Sequence, residues 1–216
     1  MPKSLDLTCV TVCVHYDDFL ALTVPRNKAF FRQWIVVTTP GDTATQEVCD
    51  RHGITCHHTE IFYRNGDKFN KGAALNEAIR RFRPKGWVLF LDCDIILPEA
   101  FPEALEPLGG LERSCLYGAS RRFMNTYDEY LANTPSSPKI DDRIIGFFQM
   151  LHASALAAYS FVEHSDASRY DLAVRKYFAK RDSVRMLPLV VTHLGPMGRN
   201  WEGRVTARFE TPTRDV

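Results

Sequence analysis

The sequence has almost no net charge, 27 basic against 26 acidic residues leaving a formal +1 over 216 residues. A polyanionic partner is therefore not implied by charge, and the basic groups Arg121-Arg122 and Arg199, Arg204, Arg208 and Arg214 read as solvated surface. No apolar stretch approaches the ~18 residues that span a bilayer, so no transmembrane segment is expected. The first residues, Met1-Pro2-Lys3-Ser4-Leu5-Asp6, lack the apolar run of a signal peptide, and a cytoplasmic location follows as an expectation. None of the six cysteines forms a Cys-x-x-Cys pair; most sit in apolar, strand-like segments and read as small buried thiols of a reducing compartment. No internal repeat or heptad array is present. The sequence carries no sign of an oligomeric state.

What is present is enough apolar material for one domain: 45% hydrophobic and 12% aromatic residues. Leu7 to Val14 is β-branched and apolar and predicts a first strand ending at His15-Tyr16. Asp17-Asp18 ahead of Phe19, Leu20, Leu22 and Val24 predicts a helix with an acidic cap, interrupted or ended by Pro25. Trp34 to Thr39 is a second buried strand, Thr43 to His52 a helix closed by Gly53, and Ile54 to His58 a third strand. That β-α-β-α-β order argues for a parallel sheet covered by helices.

The stretch Trp87 to Pro98 carries most information. An apolar run ending in Asp92-Cys93-Asp94 reads as a buried strand that delivers two carboxylates to its C-terminal edge, Asp92 and Asp94 pointing the same way and Cys93 to the other side. Ligand sites of open α/β sheets lie beyond such edges. Hard oxygen donors there suit Mg²⁺ or Mn²⁺, whose remaining ligands come from water and substrate phosphates. Upstream, Leu75, Ala78, Ile79 and Phe82 recur at helical spacing, so a helix begins near Asn70 or Lys71. Lys71 in its first turn opposes the helix dipole, which is understandable if it faces an anion.

Downstream, Pro98 to Leu108 predicts a helix broken at Pro102 and ended by Gly109-Gly110, and Leu116 to Ala119 a strand. Asn125 to Asp142 is polar, proline-bearing and unpatterned, and reads as a mobile loop near the site. Ile144 to Leu151 is strand-like, with Gly146 marking a close approach; Ala153 to Tyr159 is a short helix. Ser168 to Asp171 has the form of a capping box for a helix Asp171 to Lys180. Met186 to Thr192 is a last strand that delivers His193 to an edge, followed by the glycine-rich loop Gly195 to Trp201.

In this order the segments resemble the GT-A class of nucleotide-sugar glycosyltransferases, close to glycosyltransferase family 2 and its small bacterial and phage members. Lys71-Gly72-Ala73-Ala74-Leu75-Asn76 is similar to the family's Lys-Gly-x-x-x-Asn, Asp92-Cys93-Asp94 to its Asp-x-Asp, and Gly146-Phe147-Phe148-Gln149 to its acceptor-side strand. Tyr170-Asp171 resembles the family's Glu-Asp, with tyrosine in place of glutamate. His193-Leu194-Gly195-Pro196, then Asn200-Trp201 and Gly203-Arg204, resembles its C-terminal metal and phosphate loop. His15-Tyr16-Asp17 stands where Pro-x-Tyr-Asn is common.

The resemblance implies one α/β, Rossmann-like GT-A domain with a mostly parallel sheet flanked by helices. Its nucleotide-sugar half would be residues 1–97 and its acceptor half, with the C-terminal loop, 98–216. It implies an enzyme that moves a sugar from a nucleoside diphosphate sugar, UDP first, to a hydroxyl of a glycan or a modified DNA base, with inversion. It assigns Mn²⁺ or Mg²⁺ to Asp92, Asp94 and His193, with Asp92 orienting ribose or a metal-bound water. It assigns the donor to Val14, His15, Tyr16, Lys71, Asn76, Asp92 and Arg204, and the acceptor to Phe147, Phe148, Gln149 and Trp201. The base is Asp171 or Asp166. Two other readings stand beside it. A nucleotidyltransferase would want a glycine-rich loop after the first strand, where His15-Tyr16-Asp17-Asp18 lies. A nucleotide or nucleic-acid binding module would show steeply salt-dependent binding to DNA.

Overall fold

The computed structural model describes residues 5–105, 111–196, 198 and 200–209. Its strands are β1 (Leu5–Val12), β2 (Phe31–Thr38), β3 (Thr55–His58), β4 (Trp87–Leu91), β5 (Ile95–Ile96), β6 (Leu116–Met124), β7 (Phe148–His152) and β8 (Val184–Leu194). The helices are α1 (Asp17–Asn27), α2 (Thr43–His52), α3 (Lys71–Phe82), α4 (Phe101–Leu105), α5 (Tyr127–Ala132), α6 (Ala153–Leu156) and α7 (Tyr170–Ala179). All eight strands form one sheet in the order β3-β2-β1-β4-β7-β6-β8-β5. β7 runs against β4 and β6, and β5 against β8; the remaining pairings are parallel. The fold is thus α/β, mostly parallel, in a single sheet. β7 inserts beside β4 and β5 lies on β8, so the sheet runs on across residue 97.

The two faces of the sheet separate by the period-2 rule. Leu7, Cys9 and Cys13, with Leu89 and Leu91, pack with Leu20, Val24, Val48 and Cys49 of α1 and α2. Val10, Val12, Val88 and Phe90 turn the other way, onto Ala74, Leu75 and Ala78 of α3 and Val174 and Phe178 of α7. Two-sided burial is why these strands read as continuous apolar runs. Gly53, at φ +57, closes α2 in the left-handed conformation that its sequence position predicted.

Several elements differ from the sequence reading. β1 stops at Val12, so Val14, His15 and Tyr16 form a turn rather than a strand end, with His15 at φ +62. Pro25 sits inside α1, which runs on to Asn27, and Asp17 and Asp18 do not cap it because they bind arginines of the C-terminal segment. The Asn125–Asp142 stretch is not an unstructured loop: it holds α5, and Asp141 bridges to β6. β7 begins only at Phe148, after a turn through Gly146 and Phe147. α7 begins at Tyr170 without a side-chain cap, because Ser168 bonds Asp166 instead. Pro102 lies in the first turn of α4 rather than breaking a helix, and the expected stop at Gly109-Gly110 lies outside the described residues. Among the described residues, no helix is long and apolar enough to cross a membrane.

Candidate active site

A cleft opens beyond the C-terminal ends of β1 and β4. Its walls include Val14, Tyr16, Lys71, Asp92, Asp94, Arg121, Gly146, Phe147, Asp171, His193 and Trp201. Lys71 is placed by the helix start: Asn70 Oδ1 accepts the Ala73 N–H at 2.9 Å, and the Asn70 side chain in turn bonds Asp67 at 2.8 Å. Lys71 Nζ reaches Asp92 Oδ1 at 2.5 Å and lies 4.8 Å from the centre of the Tyr170 ring. Burial by itself would favour the neutral amine, but the Asp92 charge and Tyr170 outweigh it and raise the Lys71 pKa well above its ordinary value. The lysine that opposes the helix dipole is neutralised by this carboxylate.

Asp92 and Asp94 do not continue the strand. β4 ends at Leu91 and the two aspartates occupy a turn, so they engage different partners: Asp92 meets Lys71 and Asp94 meets His193. The turn is held from behind, Thr23 Oγ1 donating to Cys93 O at 2.9 Å and Asn27 Nδ2 to Ile95 O at 2.7 Å. His193 sits on β8 between Ile95 of β5 and Phe123 of β6, and the next residue's N–H donates to Asp94 O at 2.8 Å.

The Asp94–His193 pair suits a divalent ion. Asp94 Oδ2 lies 3.4 Å from His193 Nε2, while Asp94 Oδ1 and His193 Nδ1 are buried with no hydrogen-bond partner. Burial pushes the Asp94 carboxyl up, an excess cost that His193 only partly offsets and that a bound cation would remove. Among the described residues no third His, Cys, Asp or Glu completes a cluster. Mg²⁺ and Mn²⁺ fit such a site, since they keep water and phosphate oxygens as ligands.

Asp171 faces the same cleft from the start of α7. Its Oδ2 accepts the Gly146 N–H at 3.0 Å and its Oδ1 the Leu172 N–H at 2.7 Å. Asp166 is not in the cleft wall. Ser168 donates to it twice, from N at 2.8 Å and from Oγ at 2.5 Å, and these bonds hold its carboxyl below the ordinary value.

Other residues singled out by sequence are engaged by protein partners. The Arg204 fork grips Asp18 at 2.6 and 2.7 Å and the carbonyl oxygens of His15 and Ala207, each at 2.7 Å. Asn76 staples α3 to the Phe161–Glu163 segment, accepting from the Phe161 N–H and donating to Phe161 O and Glu163, each at 2.9 Å. His15 is mostly exposed, and its N–H donates to Asp42 Oδ2 at 2.7 Å. Phe148 is fully buried against Phe101. Gln149 is fully buried too, its amide donating to Asp171 O at 3.3 Å. Phe147 and Trp201 remain in the cleft wall. Arg121, read above as surface, is buried there instead, because the strand read as Leu116 to Ala119 runs on to Met124.

The chain resembles known proteins at two levels. A family model for Glycosyl transferase family 2 matches residues 31–168. No curated protein matches the chain. Among solved structures, glucosyl-3-phosphoglycerate synthase from Mycobacterium tuberculosis, in complex with Mn²⁺, UDP-glucose and phosphoglyceric acid, superposes with a TM-score of 0.58 at 16% identity; the match covers 90% of this chain and 71% of that one. Mannosyl-3-phosphoglycerate synthase from Rubrobacter xylanophilus gives 0.57 at 15% identity, covering 88% and 67%.

Proposed function

The chain belongs to glycosyl transferase family 2, and from that premise we propose that this nucleotide-sugar glycosyltransferase is metal-dependent and inverts the anomeric centre. The observation that carries the reading is the meeting, in one cleft, of a half-satisfied Asp94–His193 pair, a buried lysine and a carboxylate held by backbone N–H groups. Bound Mn²⁺ or Mg²⁺, held by Asp94 and His193, would offset the charge of the leaving diphosphate. Lys71 keeps its proton, and its ammonium, paired with Asp92, is a donor on that side of the cleft. Asp92, turned to Lys71, is the candidate to orient the ribose or a metal-bound water. Val14 and Tyr16 line the donor end.

Asp171 is the base. Its two oxygens each accept one backbone N–H, which fixes the carboxylate plane and leaves lone pairs for the acceptor proton. The acceptor oxygen bonds to the anomeric carbon as the bond from that carbon to the diphosphate oxygen breaks, and the hydroxyl proton passes to Asp171. Phe147 and Trp201 shape the acceptor end, which takes a glycan or a modified DNA base. UDP is the first donor nucleotide to test, since a structure of similar fold holds UDP with Mn²⁺. We place the enzyme in the cytoplasm, where its six unpaired thiols would persist.

The test is calorimetric titration with a panel of nucleoside diphosphates, with and without Mn²⁺, on the wild type and Asp94→Ala. Binding of one diphosphate that needs Mn²⁺ and is lost in Asp94→Ala supports the reading. Binding that ignores both the ion and the substitution removes the metal from the mechanism.

A further inference from the structure

Arg121 lines the cleft yet has no part in the reaction as set out above. Its backbone bridges Asp141, N–H to O at 3.0 Å in one direction and 2.9 Å in the other, and its side chain closes the same bridge. Nε and Nη2 donate to Asp141 Oδ2 at 3.1 and 2.9 Å. Asp141 is oversupplied, because Arg143 also donates to it, from Nε at 2.8 Å, Nη2 at 2.9 Å and its backbone N–H at 3.2 Å. Two guanidinium groups thus share one carboxylate, and the trio carries a net positive charge. Water bears the charge of Arg143, whose side chain is 60% exposed, whereas that of Arg121 is 9% exposed.

The rest of the Arg121 fork points to a use. Asp141 is saturated, no acceptor is found for Nη1 among the described residues, and Arg121 itself lines the cleft. The guanidinium is already fixed, its carbon 4.3 Å from the centre of the Phe147 ring and 4.7 Å from that of Phe123. A planar donor fork held in place loses little entropy when it takes an anion. Phe147 directly follows Gly146, whose N–H holds Asp171, so Arg121 stacks on the segment that holds the base; its other ring partner, Phe123, lies 4.8 Å from the His193 ring.

We propose that Arg121 is the anion-binding residue of an acceptor subsite, so that the acceptor carries a carboxylate or a phosphate close to the hydroxyl that receives the sugar. This rests on Asp171 marking the acceptor side. The Arg121 charge also acts on Asp94, so the test has to separate acceptor from donor.

Glycerate, glycerol phosphate and glycerol are small hydroxyl compounds that carry a carboxylate, a phosphate and neither. Each is titrated into the wild type and Arg121→Gln, with and without the nucleoside diphosphate and Mn²⁺. The expected result is that one anionic compound binds the wild type at least about tenfold tighter than glycerol, and that Arg121→Gln cuts this preference to about twofold or less. Nucleoside diphosphate affinity should stay within about twofold, as Arg121 does not serve the donor. The better of the two anions names the group. Equal binding of all three compounds, a preference that survives the substitution, or loss of nucleoside diphosphate binding in Arg121→Gln each overturns the proposal. Arg121→Lys, which keeps a charge beside Asp141 but not the fork, replaces the glutamine variant if that one does not fold; an undiminished preference in it has the same overturning force. A wild type that binds no nucleoside diphosphate removes the metal-dependent donor reading, while donor binding without anion preference removes only the subsite.

Discussion

The two ends of the sheet bring charge to the cleft by different means. In the part built from β1 to β4, charge comes from the ends of regular elements: Lys71 opens α3, and Asp92 and Asp94 follow β4 directly. In the part built from β6 to β8, charge is placed by contacts between segments far apart in sequence. Asp171 hangs from the Gly146 N–H, Arg121 is braced by Asp141, and Arg204 ties the C-terminal segment to Asp18 across 186 positions. Placement by element ends rests first on local order, with Thr23 and Asn27 bracing the turn from behind. Placement by distant locks fails when one lock is cut, so the second region should be the more fragile in function.

The largest effect expected in that region is on Asp171. Asp171→Asn should lower transfer roughly 10²- to 10⁴-fold, the usual worth of a positioned base, with metal-linked diphosphate binding retained. Asp166→Asn should leave the rate within about twofold, since that carboxylate lies outside the cleft wall. Single-turnover transfer assays on both variants decide it; the reverse pattern moves the base to Asp166.

Next in size is the clasp between Arg204 and Asp18. Their side chains are 9% and 8% exposed, and Asp18 also accepts the Phe209 N–H at 2.6 Å. Asp18→Ala leaves the Arg204 charge with carbonyl oxygens and the Tyr16 and Phe19 rings but no counter-ion, and should cost about 3 kcal/mol, the lower end for breaking a buried pair. Protease should then cut first within residues 200–209. Burial acts to raise the Asp18 carboxyl, but Arg204 and the Phe209 N–H outweigh it and hold it below its ordinary value. A folded pKa below the unfolded one means that the stabilisation is complete above the unfolded carboxylate range, about pH 4, and is lost as pH falls through the folded value. Thermal melts from neutral to acid pH should fall more steeply for the wild type than for Asp18→Ala; parallel curves would show that the clasp contributes no acid sensitivity.

The same contrast explains what was legible in the sequence. Hydrophobic period and end signals located α2, α3, β4 and the edge with Asp92 and Asp94, because each rests on residues within one turn or strand of each other. The pairing of Arg204 with Asp18 left no such trace: a basic residue in a glycine-rich loop looks the same whether it faces phosphate or an aspartate on α1. Asn76 and Gln149 sit at motif positions of the resemblance, yet their amides hold backbone of Phe161 and Asp171. Ser168 to Asp171 had the spacing of a capping box, but other bonds took both members, a local one from Ser168 to Asp166 and a distant one from Gly146 to Asp171. Local pattern names candidates, and only the packed chain decides which partner each one takes.

Gly146 offers the finest test of a lock, because it serves two partners in three ways. Its N–H donates to Asp171, its carbonyl accepts from the Tyr170 hydroxyl at 3.3 Å, and its missing side chain makes room for that hydroxyl. A Cβ there would lie 2.2 Å from Tyr170 Oη and 3.2 Å from Asp171 Cβ. Tyr170 is 4% exposed, packed beside Phe161 and under Lys71, so it has little room to yield. Gly146→Ala should therefore cost about 1–3 kcal/mol of stability, the range for overpacking a core, and slow transfer by displacing Asp171 rather than by weakening diphosphate binding. Tyr170→Phe by itself gives up the hydroxyl's bond to Gly146 O and its contact with the Lys71 ammonium, at least about 1 kcal/mol. In the double variant the worst clash, with the hydroxyl, is gone and only the 2.9 Å approach to the ring carbon Cζ is left, so adding Tyr170→Phe to Gly146→Ala should raise the melting temperature where the same change lowers it in the wild type. That change of sign is what a direct interlock requires; if the two losses simply add, Gly146 and Tyr170 act on the base independently and the lock is not between them.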